Sequence, residues 1–273
     1  MPPAIASTFA ILAYLGATTW LALRYRNIYS DSALSSKNPA LALCGIAILF
    51  HALFLQNTIF TPAGLNLSVA NTLALVAWLV AVFIVFSAIR YATENLGLLI
   101  FPFTALTVGA AFIYRSQAAI IANTSWQLDM HILLSLSAYS LLTVAAVQAL
   151  TLAYQDRQLR SRNPAGILAA LPPLQDMETL LFQLLAAGFG LLSLALFSGL
   201  IFVHDLFAQH LVHKTTLSIA AWLIFGVLLW GRWKYGWRGR IAIRWTLAGF
   251  AVLALAYFGS KLVLEVILDR RWG

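Results

Sequence analysis

The chain has 273 residues, of which 62% are hydrophobic and 10% charged, with a mean hydropathy of +0.86. So little polar surface cannot cover a water-soluble globule, and apolar runs of bilayer-spanning length recur throughout, so the chain reads as a polytopic membrane protein. Its formal net charge of +8 follows membrane topology when placed along the chain, which excludes nucleic acid as a partner.

Eight spans are predicted, at about 4–23, 39–57, 69–89, 96–114, 131–153, 178–203, 213–230 and 241–263, each with few or no internal charges. This is an all-α fold forming a single transmembrane domain over residues 1–273. The first span follows a stretch, Met1 to Ser7, without Lys or Arg, and its apolar run exceeds a secretory h-region, so it is expected to be retained. Cys44 is the single cysteine and lies in the second span, which rules out an internal disulfide or a C-x-x-C redox pair. With the N-terminus outside, the inner loops hold twelve cations: Arg24, Arg26, Lys37, Arg90, Arg157, Arg160, Arg162, Arg232, Lys234, Arg238, Arg240 and Arg244. The outer side holds five, Arg115, Lys214, Lys261, Arg270 and Arg271, and eight spans return the C-terminus outside.

Tyr154 to Asp176 reads as the longest inner loop, with Asn163-Pro164 and Pro172-Pro173 as helix stops, dividing five spans from three. Beyond it, Asp176 and Glu178 suit the first turn of span six as capping carboxylates. The aromatic and basic run Trp230 to Arg238 falls inside, where an aromatic belt and an anionic-lipid anchor account for it. No internal repeat is visible.

The five histidines carry what chemistry there is. His51 is the one within a span, past the midplane toward the outer leaflet, where an ionisable group is costly unless neutral and paired. It is either a cofactor ligand or an interhelical hydrogen-bonding residue. His131 follows Asp129, read as an N-cap, and His213 precedes Lys214, so both imidazoles are expected at helix starts on the outer face. The positive helix end there disfavours imidazolium and leaves a ring nitrogen free for metal. Lys214 and Arg115 would favour anionic groups such as haem propionates beside them. His204, Asp205, His210 and His213 have spacing that permits, without requiring, a divalent-metal site. No G-x-S-x-G, no P-loop and no intramembrane acid pair is present, and Lys261 with Glu265 reads as an i, i+4 pair, so the chain is not expected to be an enzyme or a proton-driven pump.

Three stretches carry a family resemblance: His131 to Tyr139, Leu174 to Thr179 leading into Phe189 to Gly199, and His213 to Gly226. They resemble the cytochrome c assembly proteins and, within that group, the bacterial inner-membrane YpjD branch related to CcsA and CcmC, over roughly residues 69–268. The resemblance implies a multi-pass protein of the bacterial inner membrane that holds haem at the outer face or passes it across. Its partner would be another membrane protein of cytochrome c assembly. His131 matches the family's first outward histidine. The family's tryptophan-rich segment WG-x-x-W-x-W-D is absent from Phe207 to Thr216, and its second outward histidine is replaced around Gly259-Ser260-Lys261. His213 then stands in as the second axial ligand of a b-type haem shared with His131. The other reading is a non-haem accessory or transport-type protein that keeps the fold.

The charge bias makes the topology testable. A periplasmic reporter fused after Gly64, Trp126 or Gln209 is expected to be active, and one after Arg160 or Gly236 inactive. The reverse pattern would put His131 and His213 inside.

Overall fold

The computed structural model describes residues 1–26, 36–62, 64–89, 91, 93–114, 120–121, 125–160, 172–202 and 212–259, without the side chains of residues 26, 120, 121, 212 and 213. Among the described residues, eight helices are long and apolar enough to cross a membrane. They are α1 (Pro3–Arg26), α2 (Asn38–Ile59), α3 (Val69–Ala88), α4 (Gly97–Ile113), α5 (Trp126–Arg160), α6 (Leu174–Phe202), α7 (Val212–Tyr235) and α8 (Arg240–Ala254). A 3₁₀ turn, Glu94–Leu96, leads into α4, and α8 runs on as a π-helical turn, Leu255–Gly259. Between helices lie three short antiparallel strands in the order β1 (Phe60–Thr61), β2 (Gly64–Asn66), β3 (Ile120–Ile121), with Phe60 opposite Leu65 and Leu65 opposite Ile121. The sequence pattern did not anticipate them, since two-residue strands carry no measurable alternation.

The helices form two compact units, α1 to α4 and α5 to α8. In the first, each helix packs on its chain neighbours and α1 closes the ring against α4; in the second, α5 closes it against α8. The division therefore falls between α4 and α5, four helices to four, and not five to three at the loop after Tyr154. The reason is that α5 finds its packing partners in α6 and α8. Helix α5 is also longer than the hydropathy suggested. Its C-terminal turns continue to Arg160, where Asp156 bonds Arg160 at 3.1 Å one turn on and Arg240 of α8 at 3.2 Å.

Small residues set the packing distance. The buried face of α1 runs Ala6, Ala10, Tyr14, Ala17, Leu21, and that of α2 runs Ala40, Cys44, Ala47, His51, Phe54. Alanines at this spacing let helices approach closely where lipid supplies no hydrophobic drive. Gly188 of α6 does the same for α5, since a Cβ there would lie 2.7 Å from the Leu142 side chain.

Glu94 anchors one end of the first unit. The 3₁₀ turn carries it inward until it is 5% exposed, and its Oε1 accepts from Arg24 at the end of α1 at 3.1 Å. Its Oε2 faces Lys37 Nζ at 3.8 Å, and Lys37 also donates to the Ala88 carbonyl at 2.7 Å. One carboxylate thus ties the starts or ends of α1, α2 and α3. Glu94 is buried but Arg24 and Lys37 reach solvent, so Glu94→Gln is expected to cost about 1 kcal/mol of stability. Thermal melting of the detergent-solubilised protein measures it; an unchanged midpoint would show that the cluster holds nothing together.

Candidate functional site

Helix α5 begins at Trp126, where the Ser125 hydroxyl accepts from the Leu128 N–H at 3.4 Å and the Ser125 carbonyl from the Asp129 N–H at 3.0 Å. Ser125 is the cap, and Asp129, expected in that role, lies within the first helical turn. His131 therefore stands past the first turn, where the helix dipole has largely faded. What governs it instead is a side chain on α6. His131 Nδ1 lies 2.9 Å from Ser198 Oγ, which in turn lies within hydrogen-bond reach of the Ala195 carbonyl at 2.8 Å. When the hydroxyl donates to that carbonyl, Nδ1 donates to the hydroxyl and the lone pair of the neutral ring sits on Nε2. That is the tautomer a metal ligand needs, held by the partner that such a ligand requires on its other nitrogen.

The second unit also supplies a cation and, about two turns further along α5, a cluster of aromatic rings. Lys214, in the first turn of α7, acts electrostatically on His131, and its Nζ stands 5.0 Å from the centre of the Tyr257 ring. Tyr257 lies on the π-helical turn, a distortion common at functional positions. Tyr139 of α5 packs on Phe250, Tyr257 and Phe258 with ring centres 5.4–5.9 Å apart. An imidazole, a cation and an aromatic cluster are the kinds of group that could meet a flat, apolar, anionic metal complex. The sequence offered His131 and Lys214 but gave no sign of Ser198 or Tyr257. Ser198 looks like any helix serine until the fold brings it to a residue 67 positions away.

The remaining candidates divide. His213 is the second residue of α7, consistent with a helix start, and its side chain lies outside the described residues, as do Arg115, His204, Asp205, His210, Lys261 and Glu265. Among the described residues no three His, Cys, Asp or Glu side chains gather as metal ligands. His51 belongs to the first unit. It is fully buried, its Nδ1 is 3.3 Å from Tyr14 Oη, and its Nε2 has no hydrogen-bond partner.

The other end of the second unit holds Glu178 and the tryptophan-rich run. Glu178 lies in the second turn of α6 and caps another helix, its Oε1 accepting from Gly239, the N-cap of α8, at 2.8 Å. The capping role expected within its own helix is therefore filled across 61 residues. Helix α7 continues through Tyr235 and stops at Gly236 (φ 68°), whose N–H bonds the Arg232 carbonyl in a left-handed cap. Trp237 folds back on Gly231, where any Cβ would collide with its ring.

The comparisons agree with this architecture. A family model described as cytochrome C assembly protein matches residues 6–268, starting inside α1. The chain is 33% identical over 261 residues to "Inner membrane protein YpjD" of Escherichia coli (strain K12), covering 95% of this chain and 98% of that one. It is 34% identical over 193 residues to a 28.8 kDa protein of Azospirillum brasilense, covering 68% and 70%. To "Cytochrome c biogenesis protein CcsA" of Mesostigma viride it is 22% identical over 280 residues, covering 90% and 92%. No solved structure matches it. With eight membrane-spanning helices and a family match over nearly its whole length, the chain is a multi-pass membrane protein that belongs to the cytochrome c assembly protein family.

Proposed function

We propose that this protein serves cytochrome c biogenesis in the bacterial inner membrane by holding haem as cargo near the outer face, without catalysing a reaction of its own. His131 is the first axial ligand and His213 the second, with Lys214 meeting a propionate. The observation that carries this reading is the hydrogen-bond chain from His131 Nδ1 through Ser198 to the Ala195 carbonyl, which occupies Nδ1 and so directs ligation to Nε2. Family membership and the printed names of the CcsA relatives support the biogenesis role. A second membrane protein of the assembly pathway would receive the haem.

The visible spectrum of protein purified from haem-replete cells is the test. Bis-imidazole ligation gives a low-spin b-type spectrum; His131→Ala or His213→Ala shifts it toward high spin, with partial rescue by imidazole. Ser198→Ala keeps both ligands but frees the His131 ring, and is expected to weaken haem binding by roughly 10-fold. Loss of both histidines with no change in bound haem would refute the assignment. The missing tryptophan-rich segment between α6 and α7 favours one competing reading, an accessory protein without haem, and a colourless wild type would select it.

His51 is the remaining ligand candidate, on account of its unpartnered Nε2. If it ligates haem, His51→Ala lowers bound haem at normal protein yield. If the Tyr14 contact is an interhelical tie alone, the same change leaves the spectrum intact and costs about 1 kcal/mol of stability.

A further inference from the structure

The corner joining α7 to α8 is rigid and carries unneutralised positive charge. Arg232, held 4.6 Å over the Phe182 ring and donating to the Trp237 carbonyl at 3.2 Å, is a strut of the turn. Trp237 packs between Tyr235 and Trp245, and Glu178 pins Gly239. The carboxylates at this corner are already engaged: Glu178 by the Gly239 amide, Asp156 by Arg160 and Arg240. Lys234, Arg238 and Arg244 remain exposed with no carboxylate partner among the described residues. Leading to them along one face of α7 is an exposed apolar stripe, Leu223, Val227 and Trp230, at spacings of four and three that continue to Lys234.

An apolar stripe of lipid-facing side chains ending in unpaired cations on a fixed turn has two chemistries in one line. From this we infer that the corner is a binding site for one anionic phospholipid, its phosphate met by Lys234, Arg238 and Arg244 and an acyl chain lying along Leu223, Val227 and Trp230. The occupant is a lipid and not a soluble anion because the cations sit at the end of the apolar stripe, with Trp230 and Trp233 exposed beside them as interfacial aromatics. Tethering the cations to a glycine-stopped, tryptophan-wedged turn lowers the ordering cost of holding them together. This site is independent of haem, since none of its residues belongs to the His131 cluster.

Native mass spectrometry of the full-length protein, exchanged into detergent with equal phosphatidylglycerol and phosphatidylcholine, reads the site directly. Wild type is expected to retain phosphatidylglycerol preferentially, with the preference shrinking as salt rises. The combined Lys234→Gln, Arg238→Gln, Arg244→Gln variant is expected to lose that preference by roughly 10-fold or more. Lys234→Arg with Arg238→Lys and Arg244→Lys keeps the charge and should keep the preference, which guards against a fold effect in the neutral variant. Equal retention of both lipids by wild type, or an unchanged preference in the neutral variant, overturns the site. So does loss of preference in the charge-keeping variant while its melting temperature is unchanged. Displacement of the bound phosphatidylglycerol by inorganic phosphate alone would reassign the cations to a soluble anion and overturn the lipid.

Discussion

Hydrocarbon offers a buried polar group no partner, so each one in this chain must find its own inside the protein. Most hydroxyls solve this locally by bonding back to their own helix, as Thr18 does to Tyr14, Ser140 to Leu136 and Thr246 to Ala242. The rest reach across. Trp78 donates to the Ile48 carbonyl, Trp222 to Ser193 and Gln148 to the Met177 carbonyl, each tying two helices that otherwise meet through alanine, glycine and leucine. These few directional bonds set the rotation of helices whose apolar surfaces alone would allow several.

The same requirement treats two histidines differently. His51 meets a tyrosine, whose hydroxyl can donate or accept, so either ring nitrogen of His51 can carry the proton. His131 meets a serine that also reaches the Ala195 carbonyl of its own helix, which offers the Ser198 proton an acceptor besides the ring. A helix-start dipole would only have disfavoured the charged ring; the Ser198 contact also engages one particular ring nitrogen, Nδ1.

At the helix ends the same pairing is done by carboxylates. Glu94 gathers Arg24 and Lys37, Glu178 caps a helix two elements away, and Asp156 joins α5 to α8. Because each reaches to another helix, the ends of each unit are held in place while cations in excess of these acids stay at the surface. The surplus at the α7–α8 corner consists of cations with no carboxylate partner among the described residues.

The number, approximate ends and membrane character of the helices were legible in the sequence, because span length and hydropathy are properties of contiguous residues. So was the family, through the stretches beginning at His131, Leu174 and His213. Helix ends set by polar residues were less legible: α5 starts five residues earlier and runs seven further than its apolar core, because a serine cap and an Asp156–Arg160 pair extend it without hydrophobicity. Only the tertiary structure decided that the units divide four and four, that Glu178 serves α8, and that Ser198 orients His131. Those partners are brought together by helix packing across 61 and 67 residues, and no local pattern of polarity encodes which side chain will face which.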